Sequence, residues 1–168
     1  MSTILRHLFS IFLLPFMVAI VIPCWLLISF ADTHPDTSAI IWWLPRSVGL
    51  LSVVFGLGLF IWCVSLFAKV GQGTLAPWDP TRKLVAVGPY QYLRNPMISS
   101  VAFVLIGQAL FWVSWPIGLW AGIFILINHL YFILSEEPGL EERFGDSYRI
   151  YKANVPRWLP RRNPWRKS

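Results

Sequence analysis

Two polar clusters in this chain carry residue types suited to chemistry, and each abuts a long apolar run. The first runs from Gly88-Pro89-Tyr90 to Arg94-Asn95-Pro96, and the second is the carboxylate pair Glu136-Glu137. Asn95 can accept from the first free amides of the next helix, and Pro96 presets the helical φ at its first position. Arg94-Asn95-Pro96 therefore predicts a cap followed by an opening turn. A helix start carries partial positive charge and free N–H groups, which suit a carboxylate or a phosphate. A ligand-free membrane loop closed by Asn and Pro would carry the same residues.

Upstream of the acidic pair, Asn128, Phe132 and Glu136 recur every fourth residue, which predicts one shared helix face. Asn128 and His129 are polar groups inside an apolar run. Such residues face protein or a water-filled space, because a polar group left unsatisfied in lipid is costly. We expect Asn128, His129 and Phe132 to line a pocket, and Gln108 to make a plain interhelical hydrogen bond. No metal site is expected: Cys24 and Cys63 sit in apolar runs as ordinary buried thiols, and His34 has no second ligand nearby. Gly71-Gln72-Gly73 follows no predicted strand and lacks the third glycine of a dinucleotide fingerprint.

The elements that must position these groups are set by composition. Of 168 residues 56% are hydrophobic and 13% charged, too apolar a balance for a soluble domain of this length. The reading is an all-α, multi-pass membrane protein with four spans, at about 8–30, 44–67, 96–112 and 117–134, the last two forming a hairpin. Residues 8–30 also resemble a signal peptide, with Arg6 ahead and Ser29-Phe30-Ala31 as a small-residue cleavage site. The apolar run is longer than the roughly 7 to 15 residues of a signal core, so a retained span is expected. Pro15 and Pro23 should bend it, and Gly49, Gly56 and Gly58 should let a neighbour approach the second span closely.

Beyond the hairpin, residues 138–152 read as an amphipathic surface helix, and the basic tail 155–168 should lie against anionic headgroups. The net charge of +6 is concentrated beside apolar runs, so membrane lipids rather than nucleic acid are the expected partners. Basic residues at Arg6, in 69–94 and in the tail share one side, the acidic residues around Asp32 the other. Both termini are thus expected in the cytoplasm, and the compact chain fits a bacterial inner membrane. Residues 1–69 form a two-helix unit and 70–168 a catalytic-type unit. With this topology both polar clusters reach the same membrane face.

Taken together, GPYQYLRNP and SEEPGLEERFGDSYRIYKANVPRWLP resemble the signature of the isoprenylcysteine carboxyl methyltransferase and phospholipid methyltransferase group of integral-membrane enzymes, over roughly residues 71–160. The resemblance implies methyl transfer from S-adenosyl-L-methionine to a lipophilic small-molecule, prenylated or lipid acceptor entering from the bilayer. It implies a cofactor pocket between the third and fourth spans and the C-terminal segment. Leu84, Val85, Gly88 and Tyr90 would line the cofactor, followed by Asn95, Pro96, Met97 and Ile98 at the helix start. Glu136 would supply the carboxylate, with Glu137 beside it. The group commonly has histidine where Asn95 stands, tyrosine where Ile98 stands and, in the eukaryotic prenylcysteine enzymes, a substrate-binding arginine where Phe132 stands.

The chemistry implied is an in-line displacement, in which the protein holds the reacting atoms collinear in a site shielded from water. A carboxylate acceptor is already ionised, and Arg94 can steer it by paired hydrogen bonds. Arg94 fits anchoring in the headgroups equally well. An amine acceptor must lose a proton, for which Glu136, Glu137 and His129 are the candidates. Two other readings stand beside this one: a non-catalytic membrane scaffold that keeps the fold, and a nicotinamide-dependent membrane reductase.

Overall fold

A computed structural model gives the fold and describes residues 15–33, 35, 39–67, 69 and 84–166. The expected beginning of the first span, Arg6, His34, the glycine- and proline-rich 71–80, Arg82, Lys83 and Lys167 lie outside the described residues. Every regular element among the described residues is helical. A π turn at Met17–Val21 leads into α1 (Ile22–Ser29), and α2 follows at Trp43–Leu66. A 3-10 turn at Gly88–Gln91 precedes α3 (Pro96–Trp112) and α4 (Trp115–Tyr131). A second π turn, Phe132–Glu136, joins α4 to α5 (Glu137–Phe144), and α6 spans Asp146–Asn154.

Two helices are long and apolar enough to cross a bilayer: Ile40–Leu66, of 27 residues, and Trp115–Phe144, of 30. Met17–Ser29 and Pro96–Trp112 are shorter apolar helices. With 17 residues α3 rises about 26 Å, just short of a hydrocarbon core of about 30 Å.

α2 packs along α3 at near backbone distance because glycine removes the side chains that would hold them apart. A Cβ on Gly49 would stand 2.6 Å from the Gly107 carbonyl oxygen, and one on Gly107 would stand 2.7 Å from that of Gly49. On Gly56 it would meet the Ser100 oxygen at 2.7 Å. Ser52 Oγ donates to the Phe103 carbonyl across the same seam at 2.8 Å. Gly58 behaves differently from the sequence expectation, since a Cβ there meets nothing within 4 Å.

α1 is tied to the hairpin by a different device. Pro23 has no N–H, so it donates to neither Ala19 nor Val18, the carbonyls four and five residues earlier. Gln108 Nε2 donates to the Ala19 oxygen at 2.7 Å and Trp120 Nε1 to the Val18 oxygen at 3.1 Å. Gln108 thus makes the interhelical bond expected of it. Cys63 is buried as expected, whereas Cys24 is exposed on α1. The hairpin turns at Val113, whose φ of 50° is left-handed, and Ser114 N–H closes the turn on the Ala109 oxygen at 2.9 Å.

The single surface helix expected over 138–152 is two helices. Gly145 takes φ +52° and ψ −130°, a region essentially reserved for glycine, and breaks the run there. The apolar face of this segment turns inward: Leu140, Phe144, Tyr148 and Tyr151 pack with Leu84, Ala86, Val155 and Trp165.

Candidate functional site

The Gly88–Gln91 turn is pressed against the end of α2. Gly88 has φ +59°, a left-handed conformation that calls for glycine, and a Cβ there would lie 2.9 Å from Leu66 Cδ1. Tyr90 is 7% exposed, edge-on to Phe67 with ring centroids 5.5 Å apart. Burial, above all, raises the pKa of this phenol, which is therefore neutral. Val85 and Met97 join Cys63 and Tyr90 in one cluster. Leu84 packs instead on the C-terminal cluster, and Ile98 on the Val101, Leu105 and Phe124 core between the hairpin helices.

The tail folds back over this turn. Arg94 N–H donates to the Pro156 oxygen at 2.9 Å, Arg161 N–H to that of Tyr92 at 3.0 Å, and Trp165 N–H to that of Gln91 at 3.0 Å. Tyr151 Oη donates to the Tyr90 carbonyl at 2.7 Å from beneath. Residues 90–94 are thereby strapped between α6 and the tail. Arg162 and Arg166 remain exposed on the strap's outer side.

The two polar clusters meet at Glu137. Arg94 Nη1 lies 2.8 Å from Glu137 Oε1, Arg157 Nη2 2.7 Å from the same oxygen, and Lys152 Nζ 3.2 Å from Oε2. Lys152 also reaches Glu141 Oε1 at 2.6 Å. One carboxylate, 5% exposed, thus joins the start of α3, the start of α5, α6 and the tail. Glu136 is half-buried outside this ion-pair cluster, under the influence of Glu137 and Arg143 and within electrostatic reach of Tyr90.

The reason that Glu137 turns inward is the π turn. An i→i+5 repeat through 132–136 shifts the helix face by one residue, so the position in line with Phe132 becomes 137 rather than 136. Phe132 is 3% exposed, and the four-residue repeat read from the sequence holds from Asn128 to Phe132 and stops there. Asn128 Nδ2 donates to Phe124 of its own helix at 2.8 Å. His129 Nδ1 accepts from Trp158 Nε1 at 3.0 Å, and Trp158 stands edge-on to Phe132 with centroids 6.2 Å apart. His129 and Phe132 together hold the tail's tryptophan.

At the start of α3, Pro96 occupies the first turn as expected, but the Asn95 side chain does not cap it. The Asn95 carbonyl takes the Ser99 N–H at 3.0 Å, and Pro96 is fully buried. Beside it, Arg94 Nε is buried with no partner. The residues missed by the sequence reading are those that close the site: Tyr151, Lys152 and Arg157 with Glu141. The Tyr148/Tyr151 spacing and the Val155-Pro156-Arg157-Trp158 string are the available signals, and on periodicity and charge alone both point to the membrane surface.

A groove of about 500 Å³ lies between α2 and α3 below this assembly, with Tyr92, Trp158 and Pro160 at its end. Its walls include Phe55, Gly58, Trp62 and Phe103.

A sequence model of the phospholipid methyltransferase family matches residues 45–147, well over half of the chain. An uncharacterized protein of Haemophilus influenzae is 47% identical over 65 residues, covering 38% of this chain and 100% of that protein.

Proposed function

Since this chain belongs to the phospholipid methyltransferase family, we propose that it transfers a methyl group from S-adenosyl-L-methionine to a lipophilic acceptor at the cytosolic membrane face. The observation that carries the reading is the meeting of the Gly88–Gln91 turn, the uncapped start of α3 and the Glu136-Glu137 pair under one strap. S-adenosylmethionine, when bound, supplies an electrophilic methyl carbon on a sulfonium.

The residues present fit such a group. At the start of α3 the Met97 and Ile98 amides and the partial positive charge of the helix end suit its carboxylate, with Asn95 and Pro96 shaping the turn and the buried Arg94 Nε beside them. Half-buried Glu136, outside the ion-pair cluster, is the carboxylate for an ammonium or ribose hydroxyls. Leu84, Val85, Gly88 and Tyr90 form the wall against α2 and the C-terminal helices. Arg94 and Glu137, paired with each other, act on the site by holding the strap closed. Asn128, His129 and Phe132 bear on the acceptor side through Trp158. Closing the strap excludes water, which the displacement requires.

The reading includes four spans, with the two shorter apolar helices completing the membrane count, in a bacterial inner membrane with both termini cytoplasmic. Residues 1–69 serve as a support, and 70–168 carry the site. The acceptor is a lipophilic small molecule or a prenylated or lipid substrate, and the exposed Arg162 and Arg166 face anionic headgroups.

Calorimetric titration of the detergent-solubilised protein with S-adenosylmethionine tests the reading: saturable binding that Glu136→Gln weakens supports it. No binding at millimolar cofactor removes it. Asn95, Ile98 and Phe132, where the resembling enzymes carry other residues, favour a second reading, a non-catalytic scaffold. In that case Glu136→Gln leaves the cellular phenotype unchanged. A thermal shift with a nicotinamide cofactor but not with S-adenosylmethionine marks the reductase.

A further inference from the structure

Between Pro156 and Arg161 the tail is pinned at three places, and the middle pin differs in kind from the other two. Pro156 and Arg161 meet Arg94 and Tyr92 through main-chain hydrogen bonds, which contain no titratable group. Trp158 is pinned through side chains: its indole Nε1 donates to His129 Nδ1 at 3.0 Å. An indole N–H can only donate, so this bond requires a neutral imidazole with Nδ1 bare and the proton on Nε2. An imidazolium carries a proton on each nitrogen and has no acceptor to offer. Imidazole is also the side chain that changes charge between about pH 5 and 8.

We infer that the His129–Trp158 bond is a pH-sensitive latch, which holds tail residues 156–161 down while His129 is neutral and releases them when acidification charges it. The inference stands on the geometry of the strap, whatever the site beneath it binds. The surroundings of His129 favour release once it is charged. Of the helices packed on α4, α3 has no titratable side chain between Pro96 and Trp112, and α1 has only Cys24, which is exposed. On its own strand of helix, Tyr131 is half exposed, and Glu136 of the π turn follows seven residues later, about 10 Å along the axis and about one screening length away. Glu137, one residue further, already holds Arg94, Arg157 and Lys152. The tail itself brings cations: Arg157 on Glu137, Arg161 with its guanidinium on the Asn154 carbonyl, and exposed Arg162. A charge on His129 therefore meets like charges from the tail, and repulsion adds to the lost hydrogen bond. Stacking does not replace that bond, since the two rings are tilted by 38° with centroids 6.3 Å apart, outside the roughly 6 Å of a cation over an aromatic face.

The test follows the indole N–H of Trp158 in the full-length protein in detergent by NMR of 15N-labelled tryptophan, with Trp158→Phe identifying its signal among the ten tryptophans. From pH 7 to pH 5 the signal should move toward the position of an unbonded indole. In His129→Gln, whose amide oxygen accepts at either pH, it should stay in place. Trypsin cleavage after Arg161 and Arg162 is measured in parallel, relative to a free peptide of residues 155–168 that corrects for the protease's own pH dependence. The ratio should rise about fivefold over the same interval in the wild type and stay level in His129→Gln. A Trp158 signal that does not move, a shift retained in His129→Gln, or a level cleavage ratio in the wild type overturns the inference. If His129→Gln does not fold, the His7→Gln/His34→Gln chain leaves His129 as the one histidine. Its imidazole signal and the Trp158 signal must then titrate with one midpoint, and two different midpoints overturn the inference.

Discussion

The α2–α3 seam and the C-terminal strap solve the same problem, fixing two chain segments against each other, with opposite means. The seam uses almost no polar contact: Gly49, Gly56 and Gly107 let backbones touch, and Ser52 adds one hydrogen bond. In lipid there is no hydrophobic gain from bringing apolar helices together, so close fit has to supply the attraction. The strap uses charge and directed hydrogen bonds: Glu137 with three cations, Tyr151 on the Tyr90 carbonyl, Trp158 on His129. Directed bonds of this kind can re-form with solvent when the segment lifts, whereas a glycine seam has no such substitute in lipid. The close-fitted half is therefore the rigid one, and the charged half is the one that can exchange its contacts.

The largest effect should come from Glu137→Gln, which leaves Arg94 and Arg157 buried without their carboxylate. Breaking such a cluster costs roughly 3–5 kcal/mol, so trypsin cleavage after Arg161 and Arg162 should rise on the order of a hundredfold or more, with α2 and α3 still protected. Loss of the seam together with the strap would show that the two regions are one unit. Next is Gly107→Ala, which forces a Cβ to within 2.7 Å of the Gly49 oxygen and should lower stability in detergent by about 1–3 kcal/mol. Gly58→Ala on the same helix pair has room and should be neutral or gain up to about 1 kcal/mol. Equal losses at both glycines would refute the seam. His129→Leu removes the acceptor for Trp158 and should loosen the tail by about 1 kcal/mol, read as a several-fold rise in the same trypsin cleavage, while His129→Gln restores part of it.

The smallest effect is a pH dependence of the strap. The hydrogen bond to Glu141, with Glu137 adding to it, raises the pKa of Lys152 above its ordinary 10.5. A raised pKa in the folded state contributes stability that is complete below the ordinary value and lost as pH climbs through the raised one. Tail protection should thus be flat in the neutral range and fall above about 10.5, and Lys152→Gln should remove that fall.

The sequence made the membrane class, the helical hairpin and the nearness of the two polar clusters legible, because apolar run length and the side preference of basic residues are properties of composition. It did not make legible which glutamate turns inward. A π turn leaves no spacing signal, and over 132–136 it brings Glu137 rather than Glu136 into line with Phe132. Asn95 carried the residue type of a cap but uses its carbonyl instead. On its charge alone the tail reads as a headgroup anchor. Arg157 and Lys152 spend that charge on Glu137, a pairing across distant segments that no local pattern announces.

The missing N–H of Pro23 also fixes where α1 can sit. Gln108 and Trp120, on two different helices, reach adjacent carbonyls of one widened turn, so a slide or roll of α1 by a single residue would strand both donors in hydrocarbon. The first helix is thus keyed in depth and rotation by a lock that needs both arms of the hairpin in place.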